Sequence, residues 1–219
     1  MININQVYKS VLVVLQQEKR GVLTPVEFNK VATQAQQEIF IEYFDELNQL
    51  LRQPQTSLAY ADRYALLDEK IQIFKRTEEL QTDAASKVTP TVAVQELGSV
   101  IYFATSASEG REAQRIQKYE VYTTNQSPLT SPSERYPVYT YENNVIQLYP
   151  TNIGAATFNN VQLNFLKYPS DVKWGFTIDT ELGNYIYNEQ SSVNFELHQS
   201  DEPLLVDKIL GYAGVMTRD

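Results

Sequence analysis

A helix-start signal at Thr24 constrains the fold of this chain more than any other sequence feature. Thr24 predicts an N-cap, Pro25 the first helical residue, and Glu27 closes a capping box onto Thr24. Just before this signal, Gly21 suits the left-handed position that follows a helix end. The segment therefore predicts two helices joined by a tight turn, and its residue types are those of a scaffold and carry no reactive group.

Apolar residues recur at helical spacing through the first 80 residues. The spacing predicts a first helix that ends at Gly21, a second from Pro25 to about Leu51, and a third from about Leu58 to Leu80. The third helix carries a 4-3-4-3 stripe, made of Tyr60, Tyr64, Leu67, Ile71 and Phe74. Such a stripe is typical of a helix packed lengthwise on another, and we favour packing within one chain over an intermolecular coiled coil.

From Val88 onward, short strands and turns replace the helical pattern. We predict strands at residues 92–94, 99–103, 137–141, 145–150 and 161–168, and a last strand or an extended segment at residues 192–197. Asn143 and Asn144 predict a tight hairpin turn because Asn tolerates positive φ. We expect residues 161–168 to pair with this hairpin, and residues 106–115 and 123–135 to form loops.

The chain ends in a predicted short helix that begins at residues 200–203 and carries apolar Leu204, Leu205, Ile209 and Leu210. The predicted fold class is α+β, with an N-terminal helical hairpin or bundle of three long helices, a small antiparallel sheet and this C-terminal helix. The predicted regions are residues 1–87 (helical), 88–200 (Tyr-rich and antiparallel β) and 201–219 (C-terminal helix and tail).

Composition and charge exclude several classes of function. The 219 residues contain 18 basic and 27 acidic side chains and no cysteine, so disulfides, thiolate metal sites and cysteine nucleophiles are excluded. Residues 91–219 hold 8 basic and 15 acidic side chains, and this excess of negative charge disfavours binding to nucleic acid. Because we find no signal peptide and no membrane span, we expect a soluble protein made in a cytoplasm.

Sequence signatures of enzymes are missing. His198 is the only histidine, which excludes metal sites built on several imidazoles. It could act as a base beside Glu196 and Asp201, but it is more typical of a surface residue at a strand end. Two alternatives are a glycosidase built on two carboxylates and a divalent-ion loop at residues 179–181, and solvated acidic side chains explain both patterns better. We expect no enzyme, no cofactor and no metal.

Tyrosines mark a candidate interface, since 11 of the 15 follow residue 90. Tyr and Trp are enriched where a surface is apolar and hydrogen-bonding at once, as at protein interfaces, while strand propensity and core filling explain the others. The candidate interface residues are Tyr136, Tyr139, Tyr141, Tyr149, Tyr168, Trp174, Tyr185 and Tyr187, with Leu204, Leu205, Ile209 and Tyr212 of the last helix.

Several segments together resemble virion structural proteins of crAss-like and related podovirus-type tailed bacteriophages, over nearly the whole chain. The segments that carry this resemblance are Val22–Asn29 with the following Gln34, Gln36 and Gln37, then Tyr136–Tyr139, the Asn143-Asn144 turn, Ile146–Pro150, Asn164–Pro169, Phe195–Leu197 and Ile209–Val215.

These proteins are similar to the ring-forming adaptors of the head-to-tail connector. The resemblance implies a cyclic homo-oligomer, expected as a dodecamer, that binds the portal protein and neighbouring connector or tail proteins. It also implies that the protein assembles in the host cytoplasm and lies at the head–tail junction of the virion. Genomic DNA would pass nearby without binding specifically. The alternative is a carbohydrate- or receptor-binding virion module on the Tyr/Trp surface.

We further expect residues 203–219 to contact a neighbouring chain, so that truncation after Ser200 stops assembly and leaves the monomer folded.

Overall fold

The computed structural model describes residues 1–17, 23–52, 58–153, 155–179 and 183–214. The helices are α1 (Ile4–Gln17), α2 (Pro25–Leu51), α3 (Leu58–Ile71), α4 (Glu120–Gln126) and α5 (Glu202–Tyr212). The strands are β1 (Lys75–Leu80), β2 (Lys87–Val88), β3 (Val94–Tyr102), β4 (Arg111–Glu112), β5 (Gln114–Arg115), β6 (Val138–Glu142), β7 (Val145–Tyr149), β8 (Val161–Lys167), β9 (Phe176–Ile178) and β10 (Tyr185–Tyr187). The predicted α+β class is confirmed.

The chain forms two compact units. Unit 1 consists of residues 1–73 and 169–219, and unit 2 consists of residues 74–168. The regions expected from the sequence, with divisions after residues 87 and 200, do not coincide with these units. The difference arises because residues 169–200, which resemble the preceding β region in composition, pack with the helices.

The capping box predicted at Thr24 is present and starts α2 in unit 1. The Glu27 N–H donates to Thr24 Oγ1 (3.4 Å), and the Thr24 N–H donates to Glu27 Oε2 (3.0 Å). These bonds satisfy backbone donors that a helix start otherwise leaves unpaired. Gly21 lies outside the described residues. One face of α2 is buried in unit 1, through Phe28, Ala32, Ala35, Ile39, Phe40, Tyr43 and Leu50.

The predicted third helix is too long. α3 ends at Ile71, and residues 75–80 form β1. All six residues of β1 pair with β8. Leu67, Ile71 and Phe74 of the predicted stripe are buried, whereas Tyr64 is exposed. Strand pairing in the folded chain overrides the local helical pattern here. Among the residues that the structure describes, α2 with 27 residues is the one long helix, since α1 and α3 have 14 residues each.

A ladder of polar side chains on α2 connects the two chain segments of unit 1. Asn29, Thr33 and Gln36 lie on one face of α2 and meet the extended residues 170–174. Seven helical residues rise about 10 Å and four extended residues about 13 Å, so the two spacings nearly match. The bonds run from the Trp174 N–H to Asn29 Oδ1 (2.7 Å), from the Val172 N–H to Thr33 Oγ1 (3.2 Å), and from Gln36 Nε2 to the Ser170 carbonyl (2.8 Å).

The C-terminal helix α5 belongs to the core of unit 1. Leu205, Ile209 and Leu210 are buried, and α5 packs against α1 and α2. Truncation after Ser200 would remove these core contacts, so the expectation that a truncated monomer stays folded is corrected. The loss of several buried aliphatic side chains would unfold or severely destabilise unit 1.

Unit 2 contains two four-stranded sheets, in the orders β1-β8-β3-β4 and β2-β7-β6-β5. The predicted hairpin is confirmed as β6 and β7, and Asn143 and Asn144 have φ of 51° and 61°. Both sheets contribute to one hydrophobic core, formed by Val88, Val100, Tyr102, Ala113, Tyr139, Ile146, Leu148, Val161, Leu163 and Phe165.

Three sequence predictions in unit 2 are wrong. β8 pairs with β1 and β3 and makes no pairing with the β6–β7 hairpin. Its alternating pattern fixed which side chains are buried, but alternation does not select the neighbouring strand. The predicted loop at residues 106–115 contains β4 and β5, and α4 extends into the loop predicted at residues 123–135. These elements are too short to produce a periodic signal.

Candidate interface

A two-stranded ribbon follows residues 170–174 of unit 1. We define the ribbon as residues 175–179 and 183–188, in which β9 and β10 pair antiparallel over three residue pairs. No third strand joins it within the described part of the chain. An isolated pair of strands is only marginally stable in water, so contacts outside the two strands must hold the ribbon in place.

A run of aromatic contacts anchors the ribbon at its base. Ring centroids are 4.6 Å apart for Phe28 and Tyr8, 4.6 Å for Tyr8 and Trp174, and 6.1 Å for Trp174 and Phe176. The last contact joins Phe176 to Tyr185 across the two strands, with an edge-to-face separation of 5.0 Å. Aromatic pairs at these separations are favourable. The run therefore fixes the ribbon to the buried faces of α1 and α2.

Both strands of the ribbon carry exposed apolar side chains. Ile178 is 60% exposed, Ile186 53% and Tyr185 47%. Scattered exposed apolar residues are common on any surface, but here three occur among the six strand residues of one ribbon. Ile178 and Tyr185 pair directly and share one face of the ribbon, whereas Ile186 lies on the other face, so the ribbon exposes apolar side chains on both faces.

The backbone of the ribbon offers two open strand edges. Because bonded and non-bonded pairs alternate in an antiparallel ladder, the Thr177–Ile186 pair is bonded internally, whereas Ile178 and Tyr185 direct their backbone groups outward. No described residue forms a hydrogen bond with these outward groups. The register follows from bonds on both sides of the strands, from the Asn188 N–H to the Gly175 carbonyl (2.9 Å) and from the Asp179 N–H to the Asn184 carbonyl (2.9 Å).

The structure divides the twelve candidate interface residues by exposure. Tyr139, Trp174, Leu205 and Ile209 are buried in the core of their own unit. Trp174 also donates from Nε1 to Asn5 Oδ1 (3.3 Å), so it provides no open aromatic surface for a sugar. Tyr141, Tyr149 and Tyr187 are half-buried. Five residues are exposed, namely Tyr136, Tyr168, Tyr185, Leu204 and Tyr212.

Sequence reasoning missed Ile178 and Ile186, two exposed aliphatic side chains of the ribbon. The available signal was the alternation of Phe176-Thr177-Ile178 and of Tyr185-Ile186-Tyr187. Runs of three residues are shorter than the four to eight on which a strand assignment by alternation depends. Only the observed pairing shows that they form one ribbon.

A buried charged cluster lies beneath α5 in unit 1. The Tyr43 hydroxyl donates to Asp201 Oδ2 (2.5 Å), and Lys70 Nζ donates to Asp201 Oδ1 (2.7 Å). Burial, followed by the hydrogen bond to Asp201, raises the pKa of Tyr43 well above its usual value, so Tyr43 stays protonated and remains a donor. Asp201 precedes α5, but its side chain makes no capping bond and is used for this cluster instead.

His198 has a local structural role. Its Nδ1 accepts from the Ser200 N–H (3.3 Å) and lies 2.8 Å from Ser200 Oγ. The His198 side chain thereby caps a short 3-10 turn before α5. Its Nε2 lies 4.0 Å from Glu69 Oε1. Within the described ranges, no group of three or more His, Asp or Glu side chains could hold a metal ion. Residues 180 and 181 of the considered ion loop lie outside those ranges.

No protein-family model matches the chain, and a search of curated protein sequences finds no match. None of the described helices combines the length and apolar character needed to cross a bilayer.

Proposed function

We propose that this protein is a ring-forming structural protein of the head-to-tail connector of a tailed bacteriophage, and that the ribbon joins neighbouring copies. The ribbon carries this proposal, because its base is anchored and its two strands present apolar side chains and open edges. A two-stranded ribbon gains stability when further strands extend it. A second copy fits as the occupant because the ribbon itself offers both of the edges that such a contact needs.

The two edges are different, and this determines the type of assembly. β9 of one copy would pair with β10 of the next, which is a heterologous contact that repeats around a ring when the rotation closes. A closed circle of ribbons leaves no free strand edge, and closure is how barrels avoid the aggregation hazard of exposed strands. In this proposal the N-terminal helices α1–α3, together with α5, form the scaffold of each copy.

Charge supports a position beside the path of the genome. The chain has a net charge of −9. A ring of such chains would repel the phosphate backbone, so DNA could pass without binding. The proposed partners are other copies of the chain, the portal protein and neighbouring connector or tail proteins, at the head–tail junction of the virion. An assembled bore lined by Lys and Arg would contradict this part of the proposal.

Native mass spectrometry of the protein, alone and mixed with the portal protein of the same virus, tests the proposed function. We expect closed rings, either of the protein alone or on the portal. Chains that stay monomeric or dimeric in both samples would overturn the connector role.

Proline variants of the two edges test the ribbon contact. Ile178→Pro blocks β9 and Tyr185→Pro blocks β10. Neither removes a hydrogen bond between the two strands because both N–H groups point outward, but Tyr185→Pro also removes the ring contact with Phe176. We expect each variant to stay monomeric, and an equal mixture to form dimers and no rings, since each chain keeps one edge. Thr177→Val is the matched control and should assemble normally. Rings formed by either proline variant would exclude the ribbon as the contact.

A further inference from the structure

A polar cleft lies on the outer face of the sheet formed by β2, β7 and β6 in unit 2. We call it the outer-face cleft, and it has a volume of about 380 Å³, within the usual range for small-molecule sites. The residues that matter for its chemistry are Lys87, Lys118, Thr140, Glu142, Gln147 and Tyr149.

The register of the sheet explains why these polar side chains share one face. Thr140 pairs with Gln147, and Gln147 pairs with Lys87, so one polar row crosses three strands. Neighbouring residues of β7, Ile146 and Leu148, point to the opposite face and are buried in the core. The floor of the outer-face cleft is therefore supported from below by a packed core, which holds its polar groups in place.

Thr140 is the unusual member of this row. The residue is only 5% exposed, and its hydroxyl forms no hydrogen bond with any residue that the structure describes. No inaccessible side-chain polar atom among the described residues lacks a partner, so this hydroxyl is open to the outer-face cleft and bonds to whatever occupies it. Since Thr140 lines the outer-face cleft, a molecule in the cleft is the partner available to it.

Gln147 adds an oriented acceptor beside this hydroxyl. Its Nε2 donates to the carbonyls of Ala85 (2.7 Å) and Leu148 (3.1 Å). These bonds fix which end of the amide points away from the backbone, so Oε1 remains as the acceptor. A hydroxyl and an amide oxygen, both held in place, match a ligand with adjacent hydroxyl groups.

The charges of the outer-face cleft favour an anion. Lys118 forms an ion pair with Glu142 (2.5 Å), whereas Lys87 has no carboxylate partner among the described residues. Two lysines and one glutamate line the outer-face cleft, so its net charge is +1. The half of the chain that contains it is otherwise acidic. Hydrogen bonds from an ammonium to a carboxylate are about twice as strong as neutral ones.

We propose that the outer-face cleft binds an acidic saccharide unit, with Thr140 and Gln147 on its hydroxyl groups and Lys87 on its carboxylate. The half-buried Tyr149 forms one wall against which a sugar ring can pack. This site lies outside the ribbon and does not depend on assembly, so it stands or falls separately from the connector role.

Titration with D-glucuronate, followed by NMR of the Thr140 and Gln147 amides, tests this proposal on the full chain. We expect saturable binding at about millimolar concentration, and about tenfold weaker binding of neutral D-glucose. Sulfate serves as the plain-anion control and should compete poorly. Absence of saturable shifts with glucuronate, or equal binding of sulfate, would overturn the proposal.

Two variants assign the contacts. Thr140→Val keeps the side-chain shape and should leave the melting temperature unchanged while weakening glucuronate binding by about fivefold to tenfold. Lys87→Met should bind glucuronate no better than glucose, and Lys9→Met on α1 is the control that should bind normally. Unchanged binding by the folded Thr140→Val and Lys87→Met variants would refute the assignment.

A glucuronate tetrasaccharide that binds more tightly than the monomer identifies a polysaccharide as the source, whereas equal binding identifies a free sugar acid, and both results support the site.

Discussion

Unit 2 and unit 1 are held together by different kinds of contact. Unit 2 uses one continuous stretch, residues 74–168, and its strands alternate between core and surface. Unit 1 brings together residues 1–73 and 169–219, and it connects them with polar side chains on α2 as well as with apolar packing. Periodic patterns therefore describe unit 2 well, whereas unit 1 depends on individual polar contacts that have no period.

The difference also concerns what a substitution does. Removing an apolar side chain from a core leaves a cavity, and the cost depends on its size. Removing one polar partner leaves a buried backbone group unpaired, and that group then carries its full desolvation cost. The following predictions test whether the two units respond in these two ways.

Ile146→Ala in unit 2 should have the largest effect. Ile146 is fully buried in the shared core of both sheets, so truncation should cost about 3 kcal/mol of unfolding free energy. Denaturant unfolding measures the loss, and hydrogen exchange locates it. Val145→Ala, at the half-buried neighbouring position, is the control. Loss of protection in unit 1 that equals the loss in residues 74–168 would contradict two separate cores.

Gln36→Ala should have the next largest effect and should act on unit 1. Gln36 is fully buried, donates to the Ser170 carbonyl (2.8 Å) and accepts from the Glu196 N–H (2.9 Å). Both groups would lose their partner, at a cost of about 2 kcal/mol. The exposed Gln37 offers the matched control, and Gln37→Ala should change stability by less than about 0.5 kcal/mol. Equal effects of the two substitutions would show that the polar ladder contributes nothing specific.

Tyr43→Phe should cost about 1 kcal/mol, since it removes one bond to Asp201 but leaves Lys70 in place. Thermal unfolding measures this loss. Tyr64→Phe, on the exposed side of α3, is the control and should be neutral. A stabilising effect of Tyr43→Phe would mean that the buried charged cluster disfavours the fold, as some buried ion pairs do.

Mild acid should have the smallest effect, through the contact of α2 with α5. Hydrogen bonds from Lys208 and Tyr212 lower the pKa of Glu38 below its ordinary 4.5. A lowered pKa means that this contact stabilises the fold above pH 4.5 and is lost as pH falls through the folded value. Because the Glu38 side chain is 42% exposed to solvent, which screens the interaction, we expect less than about 0.5 kcal/mol.

Glu38→Gln tests this acid dependence. The variant should show a flatter loss of stability below pH 4.5 than the unchanged chain. Urea unfolding at a series of pH values provides the comparison. Identical pH profiles would exclude Glu38 as the titrating group.

Much of unit 2 could be predicted from residues 137–150 alone. Asn143 and Asn144 supply the positive φ that the tight turn requires, and the flanking alternation placed Ile146 and Leu148 in the core. In the same way, Thr24, Pro25 and Glu27 defined the start of α2. These features rest on contacts between residues close in the chain, where local chemistry is sufficient.

The candidate sites could be predicted only in part. Tyr185 and Tyr212 were expected at an exposed surface and are exposed, whereas Trp174 and Leu205 share the same chemistry and are buried. Residue type gives the ability to form an interface, but burial depends on which distant segment covers the side chain. Thr140 illustrates the same limit, since only the sheet register places its hydroxyl beside Gln147 and Lys87.

The sequence by itself determined the α+β class, the start of α2, the hairpin turn and the alternating faces of the strands. Each depends on torsional preference or on periodicity over a few residues. Tertiary structure alone decided that β8 lies between β1 and β3, that residues 75–80 form a strand, and that residues 169–179 and 183–214 pack with the N-terminal helices. These outcomes depend on contacts between residues far apart in the chain, and many pairings satisfy the same local pattern until the whole core is formed.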